Sequence, residues 1–217
     1  MRVPLAVLAL LLVPATVSAQ VSVGVRAGTG GARITTVPGT VRPFSFRSGL
    51  TVGAFAEIPV SRSVSIRPEV LFAQRGHRVF ESSVVGSDGN QIEDLVFESR
   101  VNVAEFPVLA RVQSAAAGAF RVGLVAGPTV AFRLSEHTHI ERFVNGERSP
   151  LPAQFGRYVS STAAADLGIA LGGDVAVGPL ALDLRYTHGL TQANADGSLV
   201  SVQNQAVTAA LSYRVGL

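Results

Sequence analysis

The chain has 217 residues and a formal net charge of +3; only 15% of it is charged, and its 18 basic side chains are all arginine. That length suits one all-β domain. The arginines are scattered singly, which excludes a basic nucleic-acid patch. The lack of cysteine excludes a disulfide framework, zinc–thiolate sites and thiol nucleophiles.

Residues 1–19 have the pattern of a cleaved secretory signal peptide. Arg2 supplies the positive start, Leu5 to Val13 the short apolar run, and Val17-Ser18-Ala19 the small residues before cleavage. A single domain, residues 20–217, is expected to follow outside the cytoplasm. None of its segments approaches the roughly 20 apolar residues of a spanning helix.

From Gln20 onward an apolar/polar alternation recurs about eight times, the signature of strands whose side chains alternate faces. Val21, Val23, Val25 and Ala27 oppose Arg26 and glycines, then Leu50, Val52, Ala54, Ala56 and Ile58 oppose Thr51, Phe55 and Glu57. Val64, Ile66, Val70 and Phe72 oppose Ser65, Arg67, Glu69 and Arg75. In a fourth run Val101 and Val103 share one face while Val108, Ala110 and Val112 share the other, which predicts a β-bulge or bend at Glu105-Phe106-Pro107. Phe120, Val122, Leu124, Ala126, Val130 and Phe132 oppose Arg121, Thr129 and Arg133, and Ala165, Leu167, Ile169 and Leu171 oppose Asp166 and Asp174. The seventh run, LALDLRYTHGL, sets Leu180, Leu182, Leu184 and Tyr186 against Asp183 and Arg185. The eighth sets Val207, Ala209, Leu211, Tyr213 and Val215 against Thr208, Ser212 and Arg214. Helical readings survive only around Ala115-Ala116-Ala117 and Ala163-Ala164-Ala165.

Long polar connections (30–47, 80–94, 135–158, 191–203) alternate with short ones (59–63, 113–118, 176–179). The expected fold is therefore an all-β, antiparallel up-and-down transmembrane barrel of about eight strands, with short periplasmic turns and long extracellular loops. Alternation alone fits a soluble periplasmic barrel equally well, because it is the same inside out. Export, strands of about 9–11 residues or more, and a polar face of small residues mixed with charges of both signs favour the membrane. On that reading Arg26, Arg67, Arg75, Arg121, Arg133, Arg185 and Arg214 point into the lumen with Glu57, Glu69, Asp166, Asp174 and Asp183. An eight-strand interior is just wide enough for side chains, so an arginine–carboxylate network is expected to plug it. Phe72, Phe132 and Tyr186 are candidates for one interfacial girdle, Phe120 and Tyr213 for the other.

Several stretches in order, VSVGVRAGTG, GAFAEIPVSRSVSIRPEVLFAQRG, VNVAEFPVLARV, VGLVAGPTVAF, LALDLRYTHGLTQ and LSYRVGL, resemble the strands of the PorT-like outer-membrane β-barrel family. The resemblance implies a small outer-membrane barrel and little about activity, though some relatives are associated with protein secretion. It departs at Leu217, where final strands of such barrels often carry an aromatic residue read by the assembly machinery.

Candidate chemistry is sparse. His137 and His139 share a strand face between Glu136 and Glu141, a spacing that suits a metal, against the plainer reading of a hydrated loop. His188, on the lipid-facing parity near the outer rim, suits a lipid hydrolase, but no serine or acid stands at a diagnostic spacing, and packing beside Tyr186 explains it. Gly28-Thr29-Gly30-Gly31 precedes no helix and is no nucleotide loop, and VGSDGNQIED lacks calcium-loop order. The expectation is a non-enzymatic outer-membrane barrel without cofactor or metal, in contact with outer-membrane lipid, the assembly machinery and an unidentified protein partner. A narrow pore for small polar solutes and a lipid-modifying rim enzyme are the alternatives.

Overall fold

The computed structural model describes residues 20–36, 44–85, 91–114, 119–150, 163–191 and 202–216. Residues 1–19, the alanines at 115–117, much of the long connections (37–43, 86–90, 151–162, 192–201) and Leu217 lie outside this set.

The described strands are β1 (Ser22–Thr36), β2 (Phe44–Pro59), β3 (Val64–Val85), β4 (Gln91–Gln113), β5 (Phe120–Val144), β6 (Glu147–Ser149), β7 (Ala165–Val177), β8 (Leu180–Gly189) and β9 (Val202–Gly216). Every pairing is antiparallel between sequence neighbours, except that β5 passes β6 to pair with β7, and β1 pairs with β9. A ring of eight strands results, with β6 as a flap on the end of β5. Among the described residues, closure of β1 onto β9 and of β4 onto β5 pairs every strand of the ring on both sides, the condition for a sheet to sit in lipid.

The two faces settle which way the barrel is turned. In β8, Leu182 and Leu184 are 61% and 60% exposed, while Asp183 and Arg185 between them are 1% and 4% exposed. The same division runs around the ring. Val25, Val52, Val70, Val108, Leu124, Leu171 and Leu211 are exposed outward, and Arg26, Glu57, Arg67, Glu69, Asp174 and Asp183 are buried inside. A soluble barrel would have the reverse, so the arrangement is that of a membrane barrel. Phe132, Tyr186, Phe120 and Tyr213 stand on the outer face, and Phe106 meets Phe132 edge-on with ring centroids 5.9 Å apart.

Two sequence expectations are corrected here. First, β4 keeps one parity: Val101, Val103, Glu105, Pro107, Leu109 and Arg111 are all buried, and no register shift occurs at Glu105-Phe106-Pro107. The irregularity lies across the barrel wall on β5, where Leu134 is extra between the partners of Asn102 and Val103; another falls between Phe46 and Thr51 on β2. Val101 and Val103 point inward because lumen layers are partly apolar. They cluster with Ala73, while Leu109, Val125 and Ala170 form a second such cluster. Second, the polar stretches 80–94 and 135–149 are largely paired strand rather than loop. β5 has 25 residues, more than twice the roughly 9–11 that cross a bilayer. Its turn into β6 is Asn145-Gly146 with φ of 51° and 82°, the left-handed pair that a two-residue hairpin of matching twist requires. Ala163-Ala164-Ala165 lead into β7 without forming a helix.

An arginine at position 184, at the middle of the outward apolar run of β8, should destabilise the barrel by about 2–4 kcal/mol. Equilibrium unfolding of Leu184→Arg in lipid vesicles measures this; an unchanged midpoint would return Leu184 to a solvated face.

Candidate functional site

The lumen is the candidate site, and its charges reach it through strand parity. Along β3, ascending from the short turn, Ser65, Arg67, Glu69, Leu71 and Ala73 are buried in succession. β1, β4, β7, β8 and β9 add Arg26, Arg111, Asp174, Asp183 with Arg185, and Arg214.

These groups form two clusters. In the upper one Glu69 is the hub. Arg185 grips it with two bonds, Nη1 to Oε2 at 2.8 Å and Nη2 to Oε1 at 3.1 Å, while Arg26 Nη1 reaches Oε2 at 3.1 Å. Arg26 Nη2 and Arg185 Nη2 then bind the two oxygens of Asp183 at 2.7 and 3.2 Å. In the lower cluster Arg111 forks onto Asp174, with Nε and Nη2 donating at 2.8 and 2.6 Å, and its Nη1 donates to Glu57 Oε1 at 3.0 Å. Ser65 and Arg214 complete the coordination of Glu57, each at 3.0 Å. Gly123 makes room for the fork, since a Cβ there would lie 2.6 Å from Asp174 Oδ2 and 2.8 Å from Arg111 Nη2. Paired, forked geometry of this kind is what lets ions tolerate burial.

The remaining expected lumen residues are more varied. Arg75 pairs with Glu105, and Arg133 donates to Glu136 at 2.8 Å. Asp166 accepts from Thr191 and Asn204 at 2.5 and 2.8 Å instead of from an arginine. Arg121 is exposed, on a cavity of about 370 Å³ at the short-turn mouth that Gln20, Ser22, Glu57, Gln113 and Arg214 also line. Arg111 and Glu105 are central residues that sequence reasoning missed. The assumed parity slip in β4 hid Glu105, whereas simple alternation puts Arg111 opposite Val108, Ala110 and Val112, and it was overlooked for no such reason.

Above the outward apolar belt, β3, β4 and β5 continue as a sheet with its own charge hub. Glu98 accepts from Arg47 at 3.1 Å, Arg78 at 2.6 Å and Arg100 at 2.9 Å. The Arg78 hydrogen bond above all, opposed by partial desolvation and joined by those from Arg47 and Arg100, holds the Glu98 carboxyl at about 2, against an ordinary 4.5. Glu93 pairs with Arg142 at 2.7 Å and Glu141 with Arg148 at 2.7 Å. His137 and His139 sit on β5, opposite Arg100 and Glu98, so the hydrated-loop expectation is corrected. His139 lies 3.5 Å from Glu141. Among the described residues no group of three or more potential ligands is assembled for a metal, and the neighbouring arginines oppose a cation there. His188 is at 3.3 Å from the Tyr186 hydroxyl and stacks beside its ring.

A family model described as outer membrane protein beta-barrel domain matches residues 16–194. Similar solved structures include Neisserial surface protein A (NspA), 16% identical over 88% of this chain and 96% of that one, with a TM-score of 0.40. The outer membrane protein OprG from Pseudomonas aeruginosa is 9% identical over 92% and 98%, with a TM-score of 0.45. The outer membrane enzyme PagL is 11% identical over 88% and 98%, with a TM-score of 0.33. No curated protein matches the chain.

Glu69→Gln removes the charge that holds Arg26 and Arg185 and should cost about 3–5 kcal/mol, visible as a lower temperature for the heat-induced gel shift. Glu98 behaves differently. Its carboxyl is depressed, so its contribution is complete above about pH 4.5 and is lost as pH falls towards 2. Pepsin cleavage of the outer sheet should accelerate across that window in the unaltered chain. In Glu98→Gln cleavage should be fast throughout it.

Proposed function

Since the chain belongs to the outer membrane protein β-barrel domain family, we propose that it is a non-enzymatic anchor whose closed barrel holds the outer sheet of β3, β4 and β5 where it meets the environment or a protein partner. The observation that carries this reading is the contrast between the two regions. The lumen is filled by forked ion pairs with side chains only 0–4% exposed, whereas the outer sheet presents exposed Arg78, Arg100, His137, His139 and Arg148. A buried network suits a plug, and a charged wet sheet suits recognition. A narrow pore is disfavoured by the same network. A rim hydrolase is disfavoured because His188 is engaged with Tyr186, and neither reading has an observation that speaks for it.

The order of strand motifs from VSVGVRAGTG to LSYRVGL supports a PorT-like affiliation, and the pattern of residues 1–19 supports a cleaved leader. N-terminal sequencing of the membrane-bound protein should begin at Gln20.

Two measurements test the anchor. In planar bilayers the purified protein should give no steady conductance; large steady openings would replace the plug with a pore. Replacing residues 79–97 and 137–150 by short turns should leave a heat-modifiable barrel in the membrane fraction. Failure of that variant to assemble would make the outer sheet part of the barrel's own stability.

A further inference from the structure

Arg67 does not fit the pairing that satisfies its neighbours. Around the upper cluster three guanidiniums, Arg26, Arg67 and Arg185, share two carboxylates, Glu69 and Asp183. Arg26 and Arg185 occupy those carboxylates with well-formed bonds to all four oxygens. Arg67 is left with a 3.1 Å approach of its Nε to Glu69 Oε1, and both its Nε and Nη2 are buried without a hydrogen bond. Arg26 and Arg185 also leave Nε unbonded, but their charges are met through Nη1 and Nη2. The lower cluster, Arg111 and Arg214 with Glu57 and Asp174, is balanced. One positive charge is therefore in surplus, and it resides on Arg67.

That charge cannot turn to water. Arg67 is 3% exposed, and its guanidinium lies 3.8 Å from the centroid of the Phe55 ring, itself 6% exposed. Stacking on an aromatic face offsets part of the cost of burial, but a sealed, uncompensated cation remains strongly unfavourable. Arg67 and Phe55 line a cavity of about 10 Å³ between the two clusters, together with Glu57, Arg111, Asp174 and Arg214. A space of this size holds about one water-sized particle. It shares Glu57, Pro179 and Arg214 with the large cavity at the short-turn mouth, so the two lie side by side with the Arg214–Glu57 pair between them.

We propose that Arg67 is the buried binding site for one small monatomic anion of halide size, taken up from the short-turn mouth. A water molecule in the same place would satisfy a donor but leave the charge, whereas chloride answers both. A cavity of about 10 Å³ leaves no room for a polyatomic anion, and Glu57 and Asp174, which also line it, are each already bonded to Arg111.

The test uses the complete barrel in detergent micelles. With ionic strength held constant, exchanging gluconate for chloride should raise the unfolding midpoint saturably, by roughly several degrees for a chain of this size. Arg67→Met should show the same midpoint in both salts. Crystals of the unaltered protein grown in bromide should give an anomalous peak beside the Arg67 guanidinium, a measurement that stands even if the variant fails to fold. The proposal is overturned if the midpoint of the unaltered protein ignores chloride, if Arg67→Met keeps the dependence, or if the bromide crystals show only water at Arg67.

Discussion

A guanidinium inside an eight-strand barrel has no bulk water to fall back on, and the rest of the structure follows from how that is resolved. Glu69 is the pivot, because its two oxygens receive three bonds from Arg26 and Arg185. Those arginines come from β1 and β8, and Glu69 from β3, so the hub ties together strands that are not neighbours around the ring. Backbone ladders hold each strand only to the next. The ion pairs cross the lumen and bind opposite walls, and Arg26 and Arg185 between them occupy every oxygen of Glu69 and Asp183.

The outer sheet repeats the theme under different physics. Glu98 is also one carboxylate gripped by arginines, but Arg78 and Arg100 around it have side chains 46% and 61% exposed. Pairs with one partner this exposed are screened by salt, so what they contribute to the outer sheet falls as ionic strength rises. Charge is sealed and paired inside the barrel and open to solvent outside it. The boundary between the two regimes is the top of the outward apolar belt, where β3, β4 and β5 run on while β8 stops at Gly189.

How far the fold could be read without coordinates depended on each strand's two environments. β8 was legible throughout, because LALDLRYTHG meets lipid on one side and the ion cluster on the other, and hydropathy separates those cleanly. β4 was misread because Val101, Val103 and Leu109 are apolar yet point into the lumen, so hydrophobicity ceased to report direction. The outer halves of β3 and β5 read as loops in the sequence for a related reason. With polar residues on both faces the period of two loses its contrast, and only pairing with β4 identifies them as strands. Of the lumen residues, Arg26 and Asp183 stand between outward apolar neighbours, as does Arg111, while Glu105 was lost with the parity of β4.

The sequence by itself determined that the chain is a succession of two-faced strands joined by alternately short and long connections, since side-chain alternation is a property of the local backbone. Alternation alone left open which face looks inward, and export, strand length and the make-up of the polar face pointed to the lumen; which charge meets which, only the tertiary structure decided. Arg26 and Asp183 stand 157 positions apart and touch at 2.7 Å only because β1 closes onto β9 and sets the register of the ring. The surplus on Arg67 is likewise invisible in any linear count, because a charge is unmatched only relative to the partners that the fold has already taken.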